Sequence, residues 1–183
     1  MASISEQTPL VLGSASPRRR EILTNLRIPI RILPADVAEE VRPGEAAFGY
    51  IERIVGDKLA AVAVRARGEP AAGLLVADTI VVVDGDILGK PVDHADAERL
   101  LSRIAGRSHI VFTRYALGAS DGSVLVSRTI ESEVWLRAAT PAELRGYART
   151  GEGLDRWCDD LAARRASKAR GWSRAAADRF MLR

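Results

Sequence analysis

Leu10-Val11-Leu12-Gly13-Ser14-Ala15-Ser16-Pro17-Arg18-Arg19-Arg20-Glu21 is the stretch from which the fold is read. An apolar run, a short buried strand over residues 9–13, ends in small residues, and a helix start follows at once. Ser16 is a good N-cap and Pro17 suits the first helical position. Three arginines then crowd the first turn, where each cation opposes the helix dipole by roughly 0.3–1 kcal/mol. Stability alone would place acids there. Breaks of a local rule concentrate at functional sites. An anion resolves this one, because free N–H groups at a helix start and arginine forks together make a phosphate seat. A solvated basic helix end is the plainer alternative.

Working outward, a helix is expected over 17–26, with Ile22, Leu23 and Leu26 as its apolar stripe. A second strand is expected over 28–33. Residues 34–45 read as a loop, with Asp36, Glu39 and Glu40 ahead of the Pro43-Gly44 break. A long helix over 45–67 follows, with Phe48, Ile51, Val55, Leu59 and Val62 on its buried face. Lys58 borders that face. It is either a snorkelling lysine or an ammonium aimed into a cleft.

The run Leu74-Leu75-Val76-Ala77-Asp78-Thr79-Ile80-Val81-Val82-Val83 reads as a strand buried on both faces. Asp78 interrupts it, and a lone carboxylate there is costly unless paired, hydrogen-bonded or metal-bound. Structural pairing and function both answer that cost. Asp84-Gly85 is a hairpin turn signal, after which Gly89-Lys90-Pro91 returns a lysine toward the same region. A helix over 94–105 turns Ala97, Leu100, Leu101 and Ile104 inward and is closed by Gly106. Strands over 108–119 and 123–136 are joined by Asp121-Gly122, and His109 in the first is read as a packing or surface residue. Thr140-Pro141-Ala142-Glu143 is a capping box opening a helix to about residue 149. Alternating strands and helices that give way to hairpins point to an α/β domain with a mixed, strongly twisted sheet.

The 183 residues allow one domain, or one domain with two lobes. No apolar run approaches the roughly 18 residues of a membrane span. The first nine residues are polar and do not read as a secretory signal. Cys158 is the only cysteine, so no disulfide framework forms within one chain and a reducing cytoplasm is expected. The net charge of +3 is unevenly spread. Residues 156–183 hold 8 Lys+Arg against 3 Asp+Glu, whereas the preceding 155 residues hold 19 against 21. The globular part therefore gives no electrostatic case for nucleic acid, and a binding tail lacks aromatic interleaving beyond Trp157 and Trp172. There is no internal repeat, P-loop, Cys/His metal cluster or Ser-His-Asp signature.

Ser14-Ala15-Ser16-Pro17-Arg18-Arg19, Val37-Ala38-Glu39 before a Pro-Gly-Glu, Lys58, Ala77-Asp78-Thr79-Ile80-Val81 and Gly89-Lys90-Pro91 occur in this order and spacing. Together they resemble the Maf family over about residues 9–155. The resemblance implies an ITPase-like mixed α/β fold, two lobes around a cleft, in a cytoplasmic homodimer. It also implies hydrolysis of a nucleoside triphosphate to the monophosphate and pyrophosphate with a divalent metal, magnesium or manganese. Carried over by position, it makes Asp78 and Glu39 the catalytic and metal-handling carboxylates, with Asp78 as proton acceptor. Ser14, Arg18, Arg19, Lys58 and Lys90 would hold phosphates, and Thr79 joins them on the substrate. Pro17-Arg18-Arg19 with Asp78-Thr79 is similar to the branch acting on dTTP and UTP. The 7-methyl-GTP branch, the alternative substrate class, has Trp after the proline and Asp-Gln in the second motif.

After Gly151-Glu152-Gly153-Leu154-Asp155 the family continues Lys-Ala-Gly-x-Tyr and Ile-Gln-Gly, whereas this chain reads Arg156-Trp157-Cys158-Asp159-Asp160. The glutamine that helps set base choice has no counterpart here. Residues 1–155 are thus expected to form the Maf-like domain and 156–183 a divergent basic tail, packed poorly or partly disordered. A frame change and a diverged end both fit. The alternative function is a nucleotide-binding regulator of cell division with impaired turnover.

Overall fold

A computed structural model describes residues 3–150. The expected boundary at residue 155 and the basic tail lie outside them. The element order is β1 (Leu10–Leu12), α1 (Pro17–Asn25), β2 (Ile30–Ile32), α2 (Ala47–Arg65), β3 (Gly73–Val83), β4 (Asp86–Leu88), α3 (His94–Ile104), β5 (Ser108–Gly118), β6 (Val124–Trp135) and α4 (Pro141–Arg149). The six strands form one mixed sheet in the order β2-β1-β3-β5-β6, with β4 paired to β3. The mixed α/β class expected from the sequence is what the chain adopts.

Two compact units divide the chain. The first runs to Thr79 and takes in Thr113–Ile130. The second comprises Ile80–Phe112 and the chain from Glu131. β3, β5 and β6 each contribute a segment to both.

In the first unit β1 pairs in parallel with β2 on one side and with β3 on the other. Right-handed crossovers running in opposite directions place their helices on opposite faces, and the packing shows this. Leu74 and Val76 of β3 join Val55, Leu59 and Val62 of α2 in one core cluster, with Val11 and Ala116. Leu75 packs on Leu10, Leu12 and Leu23, on the α1 face. The order β2-β1-β3 therefore contains a topological switch point between β1 and β3, where doubly wound sheets open a crevice beyond the carboxyl ends of the strands.

Two expected apolar faces are narrower than their sequences suggest. On α1 only Leu23 is buried, and Ile22 and Leu26 are 52% and 64% exposed. Phe48, in the first turn of α2, is also exposed. A nine-residue helix offers the sheet little more than one turn of contact, so residues at its margins stay in solvent.

In the second unit β3 and β4 form an antiparallel hairpin, with Val81 opposite Leu88. Asp84 and Gly85 both take left-handed backbone, φ 53° and 86°, as a two-residue hairpin turn requires. Ala97, Leu100, Leu101 and Ile104 of α3 pack with Val81, Val83, Val111, Val134, and Leu144 and Ala148 of α4. Thr140 and Glu143 form the expected capping box. The Arg137 guanidinium and then the Thr140 N–H hold the Glu143 carboxyl down at about 2.

His109, in β5, is buried, and neither ring nitrogen has a hydrogen-bond partner among the described residues. Burial holds its pKa down at about 4, from an ordinary 6.5. Between those values the unfolded chain binds more protons than the folded one, so stability is lost as pH falls through the window. The loss should approach about 3 kcal/mol near pH 4. Urea midpoints of the full chain and of His109→Leu, compared at pH 7 and 4.5, should fall less for the variant. Equal falls would remove His109 as the source of acid sensitivity.

Candidate active site

The site is built where β1 stops and β3 continues. Leu12 pairs with Leu75, and the Gly13 N–H donates to the Leu75 carbonyl at 2.8 Å. Ala77, Asp78 and Thr79 thus run past the carboxyl end of β1. A Cβ on Gly13 would lie 2.6 Å from Val62 Cγ2 and 2.7 Å from Val76 Cγ1. Two stiff β-branched side chains leave room there for glycine alone.

Successive strand residues point to opposite faces, and Asp78 and Thr79 do so with different partners. Asp78 shares the face of Val76 and meets α2. Lys58 Nζ donates to Asp78 Oδ1 at 2.8 Å and lies 2.6 Å from Glu39 Oε1. Lys58 is only 7% exposed, so it is no snorkelling side chain. Its stem is buried and its ammonium turns inward to two carboxylates. The Asp78 charge in a buried strand is paired, as its cost demanded. The loop bearing Glu39 is tied down by Tyr50, whose Oη donates to the Glu39 carbonyl at 2.9 Å. Burial first, then the Asp78 and Glu39 charges, push the Tyr50 phenol up to about 12. It remains a neutral donor throughout the ordinary pH range.

Thr79 faces α1. Arg19 Nη1 donates to Ser14 Oγ and to the Ala77 carbonyl, each at 3.0 Å, and Arg19 Nη2 donates to Thr79 Oγ1 at 3.2 Å. Ser14 Oγ also accepts from the Ser16 N–H at 3.2 Å. Thr79 Oγ1 is 3.2 Å from Thr113 Oγ1 of β5. Ser16 is the N-cap of α1, Pro17 occupies the first turn, and no acid is present there. Arg18 is exposed and has no hydrogen bond or ion pair to a described residue. The two arginines of the motif therefore differ. Arg19 is spent on protein acceptors, and Arg18 faces solvent.

Six of the residues singled out from sequence, Ser14, Arg19, Glu39, Lys58, Asp78 and Thr79, form these two bonded clusters within the first unit. Arg18 lies beside them on α1. Lys90 follows β4 in the second unit and is exposed. Sequence reading missed Tyr50, Arg53, Glu45 and Thr113. Only the i, i+3 spacing of Tyr50 and Arg53 on one helix carried a signal.

The carboxyl ends of β1 and β3, at the switch point of an α/β sheet, thus gather arginine and lysine cations and two carboxylates that converge on one ammonium. A family model described as Maf-like protein matches residues 9–158, and the chain belongs to that family. It is 43% identical over 152 residues to the dTTP/UTP pyrophosphatase of Myxococcus xanthus, covering 83% of this chain and 74% of that protein. Against the dTTP/UTP pyrophosphatase of Hahella chejuensis it is 45% identical over 148 residues, covering 80% and 72%. Among solved structures, a nucleoside-triphosphatase / dITP/XTP pyrophosphatase from Mycobacterium abscessus aligns at 16% identity and a TM-score of 0.42. It covers 84% of this chain and 98% of that one. The family assignment rests on the sequence matches.

The contrast between the arginines is measurable. Arg19→Met strips donors from two hydroxyls and a carbonyl and should cost about 1–3 kcal/mol in denaturant unfolding. Arg18→Met should stay within about 0.5 kcal/mol. Equal effects would show that the Arg19 contacts do not hold the fold.

Proposed function

We propose that this chain is a nucleoside triphosphate pyrophosphatase acting on dTTP and UTP, with Asp78 as proton acceptor. The observation that carries the proposal is the Lys58–Asp78–Glu39 cluster beyond the end of β1, in a chain of the Maf family. Water attacks the α-phosphorus, the bond from that phosphorus to the bridging oxygen breaks, and pyrophosphate leaves the monophosphate. Lys58 occupies Asp78 Oδ1, so the proton of the water passes to Oδ2. Ser14, Arg18, Arg19, Lys58 and Thr79 of the first unit are assigned to the nucleotide. Arg18 meets phosphate oxygens directly, and Arg19 acts through the Ser14 and Thr79 hydroxyls it holds. Positive groups aimed at the triphosphate stabilise charge that grows on the leaving oxygen. Pro17-Arg18 and Asp78-Thr79 favour the pyrimidine substrates over 7-methyl-GTP, as do the names of the relatives.

Glu39 and Asp78 would hold magnesium or manganese beside Lys58 and not in its place, because the ammonium brings two hard oxygen donors together. Such ions take one or two carboxylates together with substrate phosphates. Among the described residues no three His, Cys, Asp or Glu side chains group to hold a metal, so the pair would share the ion with the triphosphate. Once bound, the ion screens phosphate charge.

The proposed location is the cytoplasm. None of the described helices is long and apolar enough to cross a membrane. The proposed assembly is a homodimer. Its support is β6, which ends the sheet among the described residues and exposes Val124, Leu125, Val126 and Ile130. Light scattering should give twice the chain mass, and one chain mass across micromolar concentrations would overturn the dimer.

Turnover is tested by incubating the full chain with a panel of nucleoside triphosphates and Mg²⁺ or Mn²⁺, then separating the products. Monophosphate and pyrophosphate are expected, fastest from dTTP and UTP. Diphosphate and orthophosphate would rule out the assigned bond cleavage. Calorimetric nucleotide binding without turnover would favour the regulator. Asp78→Asn should lower kcat about 10²–10⁴-fold while nucleotide still binds. Normal turnover per folded molecule in that variant, with early melting, would reduce Asp78 to a structural pair.

A further inference from the structure

Arg53 is drawn into the loop that carries Glu39 by three hydrogen bonds. Its Nε donates to Glu45 Oε1 and its Nη2 to Glu45 Oε2, both at 2.6 Å. The same Nη2 donates to the Glu40 carbonyl at 3.0 Å. The guanidinium also lies over the Tyr50 ring, 5.4 Å from its centroid. Glu45 Oε2 in turn accepts the Arg42 N–H at 3.0 Å. The Arg53 side chain is 16% exposed and that of Glu45 13%.

These bonds fasten the loop at its middle and at the end that enters α2. Tyr50 and Arg53 hold the carbonyls of Glu39 and Glu40, while Glu45 anchors the far end and the Pro43-Gly44 turn. Glu45 immediately precedes Ala46, the N-cap of α2, which makes no side-chain capping bond. Its carboxylate is committed to Arg53 and not to the helix start. Tyr50, Arg53 and Lys58 all belong to α2. One rigid helix therefore sets both the loop that presents Glu39 and the ammonium that Glu39 meets. A carboxylate on a loop of more than ten residues would otherwise sample many positions, and a reacting group misplaced by about 1 Å can lose about 10²-fold in rate.

We propose that Arg53, through its bidentate bond to Glu45, is a positioning residue for Glu39 in the pyrophosphatase reaction. The inference rests on the reading of Glu39 as a carboxylate used in that reaction. Arg53 itself touches neither substrate nor the reacting atoms. The Arg53 hydrogen bond and then the Arg42 N–H hold the Glu45 carboxyl down at about 2, so the clasp stays ionised wherever the enzyme is assayed.

The test uses the full chain with dTTP and Mg²⁺, and kcat is normalised to folded protein. Arg53→Met should lower kcat about 10–100-fold, with KM moved less than about threefold. Arg53→Lys keeps the charge without the fork and should fall between. In a Glu39→Gln background the Arg53→Met substitution should change kcat less than about twofold, because the group it positions is gone. Amide exchange should rise across residues 39–45 in Arg53→Met, with the α2 interior unchanged. If Arg53→Met does not fold, Glu45→Gln breaks the same clasp and should give the same pattern. An equal loss in both backgrounds, or a lower melting temperature with kcat per folded molecule intact, would overturn the positioning role. Wild-type kcat in Glu39→Gln would overturn the reading of Glu39, and the positioning role with it. Wild-type kcat in Arg53→Met beside a dead Glu39→Gln would overturn the positioning role alone.

Discussion

One ammonium holds the candidate site together. Lys58 Nζ bonds Glu39 Oε1 and Asp78 Oδ1, which lie 39 positions apart in the chain, one on a loop and one inside a strand. Without that cation two carboxylates would face each other with no countercharge between them. With it, both are paired at the carboxyl edge of the sheet. The cation is expensive in its own right, because a buried ammonium needs its countercharges close by. The requirement runs both ways, so each of the three groups makes the others tolerable.

The geometry that permits this comes from the order of the strands. With β1 between β2 and β3, and both pairings parallel, the two crossover helices lie on opposite faces of the sheet. β3 then offers Asp78 to α2 and Thr79 to α1. Arg19 grips the Ala77 carbonyl and the Thr79 hydroxyl, so the residues on both sides of Asp78 are pinned from the face opposite Lys58. The strand segment that bears the carboxylate is held from two sides by two cations.

Polar groups in the first unit are arranged to hold one another as much as to meet a ligand. Tyr50 and Arg53 spend their donors on the loop that carries Glu39, and Arg19 spends its donors on backbone and hydroxyls. Arg18, one residue earlier, spends none on the described residues and is exposed, as is Arg20. A basic first turn that looks unfavourable for the helix thus divides into one bonded arginine, Arg19, and two exposed ones. Residue spacing cannot separate these roles, because adjacent positions on a helix differ by about 100° in direction.

Local chemistry determined much of this protein. Ser16-Pro17 marked the start of α1, Asp84-Gly85 the β3–β4 turn, and Thr140 to Glu143 the start of α4, because caps and turns are settled by neighbouring residues. The long β-branched run made β3 a buried strand, and Asp78 within it announced a partner. The identity of that partner was a tertiary matter. Lys58 is 20 positions from Asp78 and Glu39 is 39, and helical spacing alone left Lys58 as either a snorkelling or an inward side chain. The exposure of Ile22, Leu26 and Phe48 was likewise decided by how much of each helix the sheet covers. The Arg53–Glu45 clasp left no trace in periodicity, since a loop carboxylate reaches a helix only after the chain has turned back on itself. Sequence carried what depends on neighbours along the chain. Packing decided which distant charges face each other, because that depends on strand order and on which face of β3 each helix covers.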